Sequence, residues 1–364
     1  MILHRYFARR FLITFLSVLG IFTVIMAFLD LIEQLRVFRN VEVGFADIVA
    51  LTLLNLPSGL YGILPLIVIL SSIALFLGLA RTSELVVTRA AGRSALRALL
   101  APGLMALLTG GIVVAGLNPI VASTSKEYES RANALNGAGN VLTLSTDGLW
   151  LRQGGEDGQT VIRANGSNLD GTELKGVTFI SFAAEGGPFR RVDAASAQLT
   201  SGSWVLSSAK VWPLNDAINP EANAETFETY NIPSTLTPDQ IRDSFGTPAS
   251  IPIWELPQFI DRLKTAGFSS RRHEVWFQSE LALPFFLLSM VLIGSAFTMR
   301  HQRGGRTGIM VLWAVLMCFG LYFLRNFASI LGENGQIPVL LSAWAPPLAS
   351  IGIALGLLLH LEDG

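Results

Sequence analysis

Long stretches of this chain carry no charge at all, and nothing else in the sequence restricts its fold so strongly. Residues 11–29, 48–80, 98–122, 281–299, 307–324 and 337–361 contain no Asp, Glu, Lys or Arg. Crossing the roughly 30 Å hydrocarbon layer of a bilayer takes about 20 apolar residues in helical form. Five of the six runs suit one crossing each. The run 48–80 is 33 residues long, too long for one straight span, and Pro57 is predicted to divide it into an interfacial helix and a span over 57–80. Six transmembrane helices result. The first reads as an uncleaved anchor, since no A-x-A-like cleavage site follows it.

The charges that do exist are concentrated elsewhere. Residues 123–275 hold 31 of the chain's 53 charged residues. With only 15% charged residues overall, against about 25% in soluble domains, the chain is two membrane blocks around one water-soluble insert. A net charge of −1 gives no general attraction to nucleic acid. The single cysteine, Cys318, excludes internal disulfides and thiolate zinc clusters.

Arginine placement predicts orientation. Arg5, Arg9, Arg10, Arg81, Arg89, Arg93, Arg97, Arg300, Arg303 and Arg306 fall on one side of six spans; Arg36, Arg39 and Arg325 fall in the opposite short loops. Both termini are therefore expected in the cytoplasm, with about 123–275 exported. Arg271 and Arg272 run against the bias. The expected divisions are a first membrane half over 1–122, an exported β-domain with its connector over 123–252, and a second membrane half over 253–364 opening on an amphipathic helix.

Within the insert, 141–144, 148–152, 160–163, 177–182, 203–207 and 226–230 read as short strands separated by turn-forming clusters such as GGEDG at 154–158 and EGG at 185–187. That pattern predicts an all-β sandwich or open barrel. Residues 231–250 read as an extended connector, and 253–266 as a short amphipathic helix on the membrane surface, closed by Gly267.

Searches for catalytic chemistry fail. A phosphate-binding loop needs G-x-x-x-x-G-K-[ST]; of the four lysines only Lys264 precedes Ser or Thr, and Leu263 stands before it. No G-x-S-x-G is present, and His4, His273, His301 and His360 lack metal-ligand spacing. Ionisable residues near the spans are few and fall at outer edges: Asp30, Glu33, Arg36, Glu280 and Arg325. An ion-coupled pump would place such groups at mid-membrane, so the energy is expected from outside the chain.

Two clusters remain. RTSELVVTRAAGRSALR at 81–97 predicts a short cytoplasmic helix capped by Ser83, with Leu85, Val86 and Ala90 as its apolar face beside Glu84 and Arg89. Residues alone allow either a docking element for a partner or a helix resting on headgroups. The second cluster, FLDLIEQLRVFRN at 28–40, brings Asp30, Glu33, Arg36 and Arg39 to helical spacing. It reads either as a solvated helix end or as a rim whose guanidinium groups receive phosphate.

Taken in chain order, these features resemble the lipopolysaccharide export permeases, the LptF/LptG family, across essentially the whole chain. The stretch RTSELVVTRAAGRS (81–94) carries most of the likeness, with LTPDQI (236–241) and IWELPQFIDRLKTAGFSSRRHEVWFQ (253–278) beside it. Ser-Glu-Leu-Val-Val at 83–87 and the short tail after the last span are nearer the G type; the F type is the alternative. The resemblance implies a permease subunit of the inner membrane that extracts lipopolysaccharide and passes it to a periplasmic bridge, with no catalytic residue, metal or cofactor of its own. ATP would be bound by an LptB-like cytoplasmic ATPase dimer. Other implied partners are an LptF-like second permease, a single-span LptC-like jellyroll protein and an LptA-like bridge protein. The resemblance makes the insert a β-jellyroll and 81–94 a coupling helix, with Arg81, Ser83, Glu84, Leu85, Val86 and Arg89 at the ATPase. Spans one and five would line the lipid cavity, Arg36, Arg39 and Arg325 would meet lipid A phosphates, and Glu33 would be the acidic member of the same lipopolysaccharide-binding cluster. Competing classes are another ATP-driven permease, or a membrane scaffold whose β-domain only recruits partners.

Overall fold

A computed structural model describes residues 2–39, 43–84, 87, 95–135, 142–145, 148–155, 158–168, 171–183, 187–200, 202–214, 219–234, 236–237, 247–266, 269–299 and 307–363. The chain divides into two units: a helical one (1–135, 249–256 and 271–364) and a β one (136–248 and 257–270).

The helical unit contains α1 (Ile2–Val37), α2 (Phe45–Gly62), α3 (Leu64–Arg81), α4 (Ala95–Ile112), a π-helical turn Val113–Leu117, α5 (Asn118–Leu135), α7 (Arg271–Thr298), α8 (Thr307–Glu333) and α9 (Val339–Asp363). Seven helical stretches among the described residues, with α4 through α5 taken as one, are long and apolar enough to cross a membrane. The charge pattern predicts six; the additional one is α2. Pro57 sits inside α2, and the break falls instead at Ile63. The cause is Pro65, which has no N–H and occupies the start of α3, where none is needed. Only Ile63 separates the two helices, whereas helical hairpins use loops of about 2–5 residues. α2 and α3 thus form one broken path rather than a hairpin.

α7 is the centre of this unit, buried along most of its length and packed by α3, α4, α8 and α9. Small residues let the backbones close in, as membrane helices do where apolar burial gives no net drive. A Cβ on Gly110 of α4 would lie 2.6 Å from Pro284 Cα, and one on Gly294 of α7 would lie 2.9 Å from Ser72 Cβ of α3. At the head of α7, Arg271 donates from Nε to Gly332 O at 2.7 Å and from Nη2 to Ile337 O at 2.8 Å. Its charge clamps the α8–α9 turn, where the last carbonyls of α8 need donors. That structural duty accounts for an arginine placed against the orientation bias.

α5 carries the helical unit to Leu135, past the expected boundary at 122. Residues 123–135 are mostly polar, and the helix continues through them with Arg131 Nε on Glu127 Oε1 at 2.7 Å one turn apart. The rise in charge density after 122 does not end the helix.

The β unit is one seven-stranded antiparallel sheet paired in chain order: β1 (Leu142–Ser145), β2 (Gly148–Gly155), β3 (Gly158–Ser167), β4 (Glu173–Ala183), β5 (Pro188–Thr200), β6 (Ser203–Pro213) and β7 (Glu225–Pro233). The crossed connections of a double Greek key are not present among the described strands. The sheet still rolls upon itself, because Gln153 of β2 donates to Pro233 O at 3.0 Å and accepts from Ser234 Oγ at 2.8 Å. One face closes over a core of Leu151, Ile162, Leu174, Phe179, Trp204 and Leu206, with Trp204 edge-on to Phe179 at 6.2 Å between centroids. β5 is not anticipated from sequence: PFRRVDAASAQLT is rich in Ala and charge, and only its pairing on both sides makes it a strand. The helix expected over 253–266 is α6 (Leu256–Ala266). Its apolar face is spent on the sheet, since Leu263 is fully buried in that core and Phe259 packs against it. Gly267 lies outside the described residues.

Candidate functional site

The residues of the expected coupling segment begin where α3 stops. Thr82 N–H bonds Gly78 O at 3.1 Å as a last helical bond. Ser83 then turns the chain with φ 58°, a left-handed conformation that costs a side-chain-bearing residue about 1–2 kcal/mol. Its carbonyl accepts from Val87 N–H at 3.1 Å, so a helical turn restarts there, in line with Ser83 as its first residue. Glu84 does not stand free. Its Oε1 accepts from Arg10 Nη1 at 2.7 Å and from Thr82 Oγ1 at 2.8 Å. Arg10 also donates to the Tyr6 hydroxyl at 2.7 Å and sits 5.5 Å from that ring's centre. Partial burial pushes the Glu84 carboxyl up, but the hydrogen bonds from Arg10, Thr82 and Tyr6 outweigh it and hold the group below its ordinary value. Arg81 and Ser83 are exposed. Leu85, Val86 and Arg89 lie outside the described residues. Sequence reading missed Arg10 and Tyr6, although their i,i+4 spacing on α1 puts them on one face.

At the other end of α1, helical geometry divides the charged cluster instead of gathering it. Asp30, Gln34 and Phe38 recur every fourth residue and face the bundle. Asp30 Oδ1 accepts from Asn55 Nδ2 at 2.6 Å, and the Gln34 amide donates to Tyr128 Oη at 3.0 Å. Glu33 and Arg36 lie outward and pair with each other at 3.7 Å, both well exposed. Arg39 follows the helix end and is exposed too. Arg325, on α8, is half-buried with its guanidinium 5.4 Å from the Phe286 ring centre. The structure therefore joins Glu33 to Arg36, removes Asp30 from the group, and engages Arg325 with α7.

Glu280, expected at an outer edge of the spans, is 1% exposed inside the helical unit. It accepts hydrogen bonds from Tyr61 Oη of α2 and from Asn118 Nδ2, the latter at 3.3 Å. A buried carboxylate needs such donors, and these come from helices far apart in sequence, which no local pattern displays.

Several helices keep long apolar faces uncovered. α1 exposes Leu16, Val24 and Phe28, α8 exposes Trp313, Phe319 and Phe323, and α4 and α9 expose stripes through Leu104 and Leu348, while α7 is mostly buried. Faces of this length on a water-soluble protein would aggregate; on a multi-pass membrane protein they meet lipid, a lipid-like cargo or another membrane helix.

The family described as the lipopolysaccharide export system permease LptF/LptG matches residues 5–360 of the chain. The chain is similar to the lipopolysaccharide export system permease protein LptG of Haemophilus influenzae, at 25% identity over 372 residues, covering 99% of each. It is similar also to LptG of Escherichia coli K12, at 22% identity over 365 residues, covering 99% of this chain and 98% of that one.

Proposed function

The chain belongs to the lipopolysaccharide export permease family LptF/LptG, and from that membership we propose that it is the G-type permease subunit of an ATP-driven complex that extracts lipopolysaccharide from the inner membrane. The observation that carries this reading is the uncovered apolar face on each of α1 and α8, the first and fifth of the six spans. Acyl chains lie against these faces, in a cavity completed by a second, F-type permease. The lipid's phosphates meet Arg36, Arg39 and Arg325. The exposed Glu33–Arg36 pair is worth at most about 1 kcal/mol, so Arg36 exchanges it readily for a phosphate, to which a guanidinium offers two parallel donors.

This chain hydrolyses nothing. A cytoplasmic ATPase dimer binds and splits ATP, and its movement enters through residues 81–94. Glu84 is tied to Arg10 at 2.7 Å, so movement of that segment reaches α1, one wall of the cavity. Both termini lie in the cytoplasm, and α2 with α3 makes one crossing, which keeps six in all and agrees with the arginine bias. The β unit is periplasmic. Its outermost strands, β1 and β7, each pair on one side only among the described strands, and such edges accept strands of the LptC-like and LptA-like jellyroll partners. Both relatives named above are LptG, which supports the G type.

Purification in mild detergent, followed by mass spectrometry of co-eluting proteins and lipids, tests the reading. A second permease, an ATPase and lipopolysaccharide are expected. Recovery of the chain without an ATPase, carrying phospholipid alone, overturns it.

A further inference from the structure

Between α4 and α5 the chain passes through the π-helical turn Val113–Leu117, closed by Asn118 N–H on Val113 O. Its cause is in the sequence: Pro119 has no N–H to give the Ala115 carbonyl, and its ring would press on that carbonyl in a regular helix. Widening the turn relieves the clash. The Ala115 carbonyl, which Pro119 cannot serve, accepts from 139 residues away, from Trp254 Nε1 at 3.2 Å. The neighbouring Ile253 N–H donates to Asn118 Oδ1 at 2.9 Å, and Ile253 is buried in the helical unit's core. Residues 249–256 are the part of the connector, between β7 and α6, that belongs to the helical unit. Asn118 uses its other atom, Nδ2, on Glu280 of α7, which also holds Tyr61 of α2.

We propose that the Pro119 π-turn is an intramolecular docking site for the connector residues Ile253 and Trp254, and that Asn118 relays its occupancy to Glu280 and Tyr61. Trp254, Asn118, Glu280 and Tyr61 act through their side chains as positioning residues. They latch the strand of chain that enters the exported unit to the two helices, α2 and α7, that share the buried carboxylate. When α7 shifts during the transport cycle, Asn118 must follow Glu280 or lose its bond, and the connector is carried or released with it. One side chain bonds both partners, so neither bond changes without disturbing the other. The transport role rests on the function proposed above; the docking does not.

The test uses the full complex in lipid nanodiscs and proteoliposomes, with two variants that spare the carboxylate. Trp254→Phe keeps the ring and deletes the indole donor. Pro119→Ala restores an N–H for Ala115 O and closes the π-turn without touching the connector. Hydrogen exchange of the peptide spanning 249–256 is expected to quicken about fivefold or more in each, the scale of one lost hydrogen bond. Lipopolysaccharide released per ATP hydrolysed is expected to fall about fivefold, the low end of coupling between sites, with ATP hydrolysis itself unchanged. Unaltered exchange overturns the docking. Faster exchange with an unaltered release ratio overturns the relay and leaves a purely structural contact. If the unmutated complex releases no lipopolysaccharide, the proposed function fails, while the exchange measurement still decides the docking.

Discussion

Replacing Gly110 with alanine should loosen the helical unit, and its neighbour Gly111 supplies an internal control. A Cβ at Gly110 would stand 2.6 Å from Pro284 Cα, whereas at Gly111 it would meet nothing within 4 Å. Carbon atoms rest about 3.5 Å or more apart, so α4 and α7 must separate by about 1 Å. The obstructing atom belongs to the backbone of a proline and cannot rotate aside, which puts the penalty in the upper part of the overpacking range, about 2–3 kcal/mol. Both variants gain about 1 kcal/mol from alanine's better helix propensity, and that gain cancels between them. Gly110→Ala should thus be about 2–3 kcal/mol less stable than Gly111→Ala. Thermal unfolding followed by helix signal in one detergent should show Gly110→Ala melting several degrees lower, and Gly111→Ala at or slightly above the unmutated chain. Coincident melting of the two variants would refute the close approach of α4 to α7.

Glu84→Gln should lower the melting temperature at neutral pH by the equivalent of at most about 1 kcal/mol, since its pair with Arg10 is about one-third exposed on both sides. The Glu84 carboxyl is held below its ordinary value, so its contribution is complete above about pH 5 and is lost as pH falls through the folded value; a gap between variant and parent that does not narrow as the pH is lowered from about 5 would show that charge is not what binds. Trp204→Ala should cost about 3–5 kcal/mol, because Trp204 is fully buried against Phe179. Limited proteolysis should then cut within 142–233 while the helical unit stays intact, and resistance equal to the parent's would mean that the rolled sheet does not depend on that core.

How far the sequence disclosed this architecture depends on how local the cause is. The spans are legible because one property, the absence of charge, persists over 18 or more residues. β2, β3, β4 and β6 announce themselves through β-branched and aromatic residues, whereas β5 is a strand only because β4 and β6 pair with it. The register of α6 is legible, but the surface receiving its apolar face is not: Phe259 and Leu263 suit a sheet as well as a lipid surface. At the candidate sites, Glu84 stands out as an acid among arginines, yet its partner Arg10 is 74 residues away. Glu33 and Arg36 pair as their spacing predicts, while Asp30, at the same three-residue spacing from Glu33, is held inward by Asn55, 25 residues away. Pro119 signals a missing backbone N–H from sequence alone, but only the fold brings the Trp254 indole to the Ala115 carbonyl.

ATP-dependent release of lipopolysaccharide from proteoliposomes to a soluble periplasmic acceptor tests the central claim most directly. The chain is reconstituted with its co-purifying permease and ATPase, and acceptor-bound lipid is measured by photocrosslinking. The account predicts release that requires ATP and this chain, and that falls when Arg36 and Arg39 are both replaced by alanine although ATP hydrolysis continues. ATP hydrolysis without any release to the acceptor, from vesicles that contain lipopolysaccharide, would contradict it.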